Sequence, residues 1–152
     1  MVKYLERMYF FMLLRVKKLH PDAMVPKYAL PKDAGMDLFA SEEKTFAPGE
    51  RGTVSTGIAF ALPPGYVGLI WDKSGPPLKT GLHTMAGVLD ETYRGEVKIV
   101  VINHGNQPVR IEKGQKVAQL LVQPIVQPEV QEVSELDATI RGTGGFGSTG
   151  LK

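Results

Sequence analysis

The chain has 152 residues, 43% of them hydrophobic and 22% charged, which is the length and composition of one globular domain with a real core. A formal net charge of +2 and a sequence pI near 8.8 are too mild for a nucleic-acid groove, and no basic patch stands out. Cysteine is absent, which excludes disulfides, a thiolate metal site and a cysteine nucleophile and is compatible with a reducing cytoplasm. His20, His83 and His104 have no metal-ligand spacing. The 17 glycines and 11 prolines fall between short alternating segments, the pattern of an all-β fold with many turns.

Residues 1–11 lead into an apolar run, Met8 to Leu14, that is too short to span a bilayer and has no small-residue cleavage site before Lys17-Lys18. They read as an extension upstream of a natural start at Met12, or else as an extra packed strand or helix turn. Leu13 to Leu19 makes an opening strand. The three prolines between Pro21 and Lys32 suit an extended connection. Asp33 to Ala40 then brackets a glycine with two acids, a turn leading into a strand in which Asp37 is a candidate buried carboxylate.

Thr45 to Gly52 reads as a turn. From Thr53 to Leu62 a strand follows, with Val54, Thr56, Ile58, Phe60 and Leu62 on one face at period two. Pro63-Pro64-Gly65 turns the chain and Tyr66 to Trp71 forms the next strand. At its end Asp72 to Pro77 reads as a loop. There Lys73, Ser74 and Gly75 offer a cation, a hydroxyl and an open backbone N–H to phosphate oxygens, although the same triplet also occurs in ordinary loops.

Gly87 to Glu96 is the centre of the chain. Val88 and Leu89 read as buried strand, Gly87 and Gly95 as hinges of a hairpin, and Val97 to Ile102 as its returning strand. Asp90 then stands at the hairpin mouth on rigid backbone, as a general base needs, and Tyr93 offers a flat face to a sugar or base. A solvated turn has the same composition. Asn103 to Asn106 and Glu112 to Gly114 are further turns. Gln115 to Val122 is a strand in which Gln119 needs partners for its amide. Pro124 to Val133 reads as a last strand. Arg141 to Gly150 holds five glycines, three hydroxyls, one cation and one ring, a composition that cannot build a core yet carries more than a linker needs.

These loops together supply an acid, a stacking ring, phosphate donors on two elements, and an arginine and second ring on a closing arm. Five segments in this order resemble the motifs of the trimeric deoxyuridine triphosphate nucleotidohydrolases (dUTPases). They are Ala34 to Leu38, Lys73 to Gly75, Gly87 to Gly95, Gly114 to Leu120, and Arg141 to Gly150.

The resemblance implies a jelly-roll-like distorted β-barrel over residues 12–136, a mobile glycine-rich C-terminal arm over 137–152, and a cytoplasmic homotrimer with active sites at subunit interfaces. It implies hydrolysis of dUTP to dUMP and diphosphate, with Mg2+ held by the triphosphate and waters, and no nucleic-acid or membrane partner. Asp90 would orient the attacking water and Tyr93 would pack on the deoxyribose. Lys73, Ser74 and Gly75 would hold the phosphates with help from Gln119. Arg141 would neutralise phosphate charge, Phe146 would stack on uracil, and Ser148 and Thr149 would donate to the terminal phosphate. The hairpin backbone around Thr84, Val88, Leu89 and Lys98 would read the uracil edge, with Asp37 supporting the site.

Two positions depart from the family pattern. Asp72-Lys73 stands where an apolar or proline residue followed by arginine is usual, so Lys73 keeps the charge without the bidentate fork. Thr84 stands where many relatives have asparagine. Rival readings are a dCTP deaminase of the same fold, a non-catalytic dUTP-binding protein, and a structural jelly-roll module.

Overall fold

The computed structural model describes residues 12–145. The reading of residues 1–11 as an extension and the roles of Phe146, Ser148 and Thr149 lie outside them. Eleven strands and one short helix follow in order: β1 (Arg15–Lys18), β2 (Met36–Phe39), β3 (Lys44–Phe46), β4 (Arg51–Ser55), β5 (Ile58–Ala61), β6 (Tyr66–Asp72), α1 (Gly75–Thr80), β7 (Leu82–Met85), β8 (Val88–Leu89), β9 (Lys98–Asn103), β10 (Val109–Ile111) and β11 (Lys116–Pro124). Strand order is β2-β11-β6-β8 in one sheet and β4-β9-β7 in a second, with β1-β5 and β3-β10 as two-stranded ribbons. All pairings are antiparallel. The core lies between the sheets, where Leu38, Phe46, Val54, Ile58, Ile99 and Leu120 are fully buried.

Val54, Thr56, Ile58, Phe60 and Leu62 are all buried as expected, but the alternation holds only up to Thr56, because Gly57 and Ala59 on the opposite face are buried as well. The single strand expected there is instead two, because the chain turns a corner at Gly57, whose φ is +67°. That left-handed backbone suits glycine, and a side chain would also meet Ala23 Cβ at 3.0 Å and Ser41 Cβ at 3.1 Å. The corner is pinned to the start of β9: Thr56 Oγ1 donates to Val97 O at 2.6 Å and Gly57 N–H to Glu96 Oε1 at 3.0 Å. β4 therefore pairs with β9 while β5 pairs with β1.

The hairpin expected around Asp90 is also rearranged. β8 pairs with β6, Leu89 facing Gly68 and Val88 facing Leu69, and β9 lies between β4 and β7, the latter a strand that the sequence reading omitted. Gly68 makes this possible, because a Cβ there would meet Leu89 Cβ and Leu120 Cδ1 at 3.3 Å. Val88 is 69% exposed rather than buried.

Three shorter segments also fold differently from the pattern their sequence suggests. Lys44 to Phe46 is strand rather than turn. The segment after Asp72 forms α1, since Pro76 and Pro77 occupy first-turn positions where no intrahelical N–H bond is lost. Gly81, with φ +77°, closes the helix by donating to Pro77 O at 3.1 Å. Pro124 to Val133 forms no strand beyond Pro124 itself, and Val126 and Val130 are exposed.

Candidate active site

The first half of the site is assembled across three neighbouring strands. The β2–β11 register sets Asp37 opposite Gln119, and the β11–β6 register sets Gln119 opposite Trp71, just before Asp72 and Lys73. Asp37 is only 2% exposed and carries two cations: Lys73 Nζ donates to its Oδ1, and Lys116 Nζ lies 2.7 Å from Oδ2. The Lys116 contact is an ion pair outside hydrogen-bond geometry, since Oδ2 has no hydrogen-bond partner. Burial pushes the Asp37 carboxyl up, but the ammonium groups of Lys116 and Lys73 outweigh it and hold the carboxyl below its usual value. Lys116 was missed in the sequence, although it lies inside the Gly114 to Leu120 segment.

A carboxyl whose folded pKa is depressed stabilises the fold above its unfolded pKa, and this contribution is lost as pH falls through the folded value. Asp37→Asn leaves two lysines facing a neutral group. It is expected to cost about 2 to 4 kcal/mol at pH 7, toward the low end because both lysines are partly solvated. The gap between variant and parent should shrink below about pH 4. Urea unfolding of both proteins at pH 7 and pH 3 checks this, and an equal gap at the two pH values would remove Asp37 as the cause.

Gln119 has the partner its amide needs: Nε2 donates to Asp72 O at 2.7 Å. Gly35 leaves room for it, because a Cβ at that position would lie 2.4 Å from Gln119 Oε1. Ser74 is the N-cap of α1 yet makes no side-chain cap bond, so its hydroxyl is not spent on the helix. The Asp72 side chain does not pair with Lys73. It turns toward β7, where Oδ1 accepts the Thr84 N–H at 2.7 Å and Oδ2 meets His83 Nδ1.

The second half of the site is the turn after β8. Tyr93 N–H donates to Asp90 O at 3.1 Å, Glu91 Oε2 accepts the Gly65 N–H at 2.8 Å, and Arg94 Nη1 donates to the carbonyls of Glu91 and Tyr93. Asp90 thus projects from a braced turn, and its exposed carboxylate makes no hydrogen bond or ion pair among the described residues. The Tyr93 ring is 45% exposed, its hydroxyl donating to Glu96 O at 2.9 Å. Gly95 is required beneath it, since a Cβ there would come within 2.4 Å of that hydroxyl. Lys98, at the start of β9, is exposed with its Nζ 3.7 Å from Glu96 Oε2.

The two halves do not meet within one chain. Asp90 lines a hollow with Tyr66 and Val67 at one end of β6, whereas Lys73 leaves the other end. The six residue steps from Val67 to Lys73 span about 20 Å of extended strand. Arg141 is exposed and donates from Nε to Gly144 O at 2.9 Å, within its own segment.

The family model for dUTPase matches residues 22–150. The chain belongs to the dUTPase family. Among curated relatives, the deoxyuridine 5'-triphosphate nucleotidohydrolase of Clostridium acetobutylicum is 45% identical, over 91% of this chain and 97% of the relative. That of Clostridioides difficile is 47% identical, over 91% and 98%. Among solved structures, the dUTPase of Staphylococcus bacteriophage 80alpha with dUpNHpp superposes with a TM-score of 0.86 at 32% identity, covering 91% of this chain and 99% of that one. A mutant dUTPase from phage phi11 of S. aureus, solved to describe coordination of a structural Mg(II) ion, gives 0.77 at 29% identity, over 83% and 99%. The all-β, jelly-roll-like fold of the dUTPase family is therefore the fold of this chain, and the five segments that carried the resemblance all fall inside or beside the two half-sites or on the C-terminal segment.

Proposed function

We propose that this chain hydrolyses dUTP to dUMP and diphosphate at sites shared between the subunits of a homotrimer. The observation that carries the reading is Asp90, a carboxylate without a partner among the described residues on a turn braced from three directions, beside a tyrosine ring held open by Gly95. Such a group can take a proton from one water while holding it in line with an electrophile. As the water oxygen bonds to the α-phosphorus, the bond from that phosphorus to the bridging oxygen breaks and diphosphate leaves. Tyr93 packs on the deoxyribose, where a 2′-hydroxyl would collide, and the backbone of Thr84, Val88 and Leu89 reads the uracil edge, flanked by Lys98.

Lys73, Ser74 and Gly75 hold the phosphates, with Asp37 orienting Lys73 and Gln119 bracing the strand that carries it. Arg141, Phe146, Ser148 and Thr149 close over the nucleotide on the arm of residues 137–152, while the barrel spans 12–136. A triphosphate is far shorter than the roughly 20 Å that separates Asp90 from Lys73 along β6, which supports completion of each site by another copy. Exposed Trp71, Val88, Val126 and Val130 supply apolar surface for that assembly.

Magnesium fits this site as a companion of the substrate. Among the described residues no three His, Asp or Glu side chains gather to hold it, and Asp37 and Asp72 are already engaged. Its ligands would be triphosphate oxygens and water, and when bound it disperses charge on the phosphate chain. No described helix is long and apolar enough to cross a membrane. The absence of cysteine supports a cytoplasmic setting in which the reaction lowers dUTP and supplies dUMP.

The test is diphosphate release from dUTP, dCTP, dTTP and UTP, with and without Mg2+, by the full chain and by a chain ending at residue 140. The full chain should prefer dUTP. The shortened one should remain assembled and lose about a hundredfold in kcat/KM, because closure over the substrate is gone. Ammonia release from dCTP, or no hydrolysis of dUTP, would overturn the reading.

A further inference from the structure

Asp72 occupies a position where the family pattern has an apolar residue or proline, and its side chain makes contacts that neither could. β6 and β7 belong to different sheets. β7 is an edge strand whose ladder faces β9, so the Thr84 N–H on its other side has no strand to bond. Asp72 Oδ1 takes that hydrogen at 2.7 Å, Oδ2 meets His83 Nδ1, and the backbone O of the same residue accepts Gln119 Nε2 at 2.7 Å. Three residues further on, Ile70 N–H donates to Gly87 O at 2.8 Å.

The segment from Thr84 to Gly87 is therefore fastened to β6 at both ends, and Ala86 between the fasteners is held in a costly conformation. Ala86 has φ +56° and Gly87 φ +138°. The first is a left-handed backbone that a residue with a Cβ adopts only when its surroundings impose it. At Gly87 a Cβ would lie 2.6 Å from Ile70 O. The fastened segment and the end of β6 enclose a hollow of about 290 Å³ lined by Trp71, Asp72, His83, Thr84, Gly87 and Val88.

We propose that Asp72 is a positioning residue for base selection: it fixes the base-reading backbone at Thr84 against the end of the strand that presents Lys73 to Gly75. The proposal rests on the reading that this backbone contacts uracil. The Asp72 carboxylate is engaged by the Thr84 N–H and His83 Nδ1, so it acts through that backbone. It sets the direction of backbone groups that must match the uracil edge and leave the cytosine edge unpaired, a discrimination that depends on fixed geometry.

Asp72→Ala is expected to raise KM for dUTP about tenfold with a smaller change in kcat, and to cut the preference for dUTP over dCTP about tenfold. Asp72→Asn keeps an acceptor at Oδ1 and should restore most of both. A purely structural role would lower the melting temperature without moving the dUTP to dCTP ratio. An Asp72→Ala enzyme with parental KM and parental ratio therefore overturns the proposal, whatever its stability. Amide hydrogen exchange in the unsubstituted chain tests the bond without relying on the variant folding. Thr84 should be protected although β7 is an edge, and free exchange there overturns the proposal too. Failure of the unsubstituted chain to hydrolyse dUTP would sink the underlying functional reading instead, and the exchange result would still decide whether Asp72 holds Thr84.

Discussion

Asp90→Asn is expected to lower kcat for dUTP about a thousandfold while changing affinity for a nonhydrolysable dUTP analogue by less than about threefold. Asparagine matches the carboxylate in size, so the turn that Tyr93 N–H closes on Asp90 O, a backbone bond, survives the change. The Gly65 and Arg94 contacts that brace the turn also involve Glu91 and the main chain rather than the Asp90 side chain. What is removed is the ability to accept a proton from water as the new phosphorus–oxygen bond forms. The remaining catalysis should come from positioning and from charge dispersal by lysine, arginine and metal, which is substantial in phosphoryl transfer and explains why the loss is not complete. Steady-state kinetics together with calorimetric titration of the analogue separate the two effects. Parental kcat in the variant would remove Asp90 from the chemistry, and loss of analogue binding in step with kcat would make it a binding group.

Short segments of this sequence pointed to the family by their order and to strand partners poorly. Asp37, Lys73 to Gly75, Asp90, Tyr93 and Gln119 could be picked out because each is a polar or turn residue beside or within an apolar run, and the order of five such segments is far more specific than any one of them. Strand pairing is a long-range property, and neighbours in sequence misled. Val88-Leu89 and Val97 to Ile102 look like the arms of one hairpin, yet Gly68 opens a slot in β6 that draws β8 to the other sheet. Period-two patterning told correctly that Val54, Thr56, Ile58, Phe60 and Leu62 point inward, but it is blind to the corner at Gly57, where the chain changes partners and Gly57 and Ala59 are buried too. Asp72 to Pro77 read as a loop, yet α1 starts inside it, because proline in a first turn does not break a helix. Asp72 looked like an intruder beside a phosphate loop. Only the fold shows that its carboxylate is turned away, to Thr84 and His83. Pro124 to Val133 suggested a strand, and within one chain its Ile125, Val126, Val130 and Val133 remain exposed. A segment of that kind reads as sheet in a sequence whether its partner belongs to the same molecule or to another.

If each site combines Asp90 of one subunit with Lys73 of another, two inactive proteins should make an active one. Lys73→Ala removes the cation that Asp37 holds at the end of β6, and Asp90→Asn removes the base at the opposite end of the same strand. Neither homotrimer then contains a complete site. Unfolding the two together and refolding them mixes subunits, and in a random symmetric assembly about one interface in four carries both unsubstituted groups. Activity should therefore rise from below about a hundredth of the parental rate to about a quarter of it. The gain should be absent when the same proteins are mixed without unfolding. A chain carrying both substitutions, refolded with the parental protein, is the control: the same count leaves about one interface in four intact, so that mixture should lose activity to the level the complementing mixture reaches. The outcome depends only on the geometry of β6. Its length keeps Asp90 and Lys73 of one subunit about 20 Å apart, so restored activity requires that a neighbouring subunit bring the missing group across. A refolded mixture no more active than its parents would mean that both groups act within one chain, and β6 would then have to bend in a way its unbroken seven-residue pairing with β11 opposes.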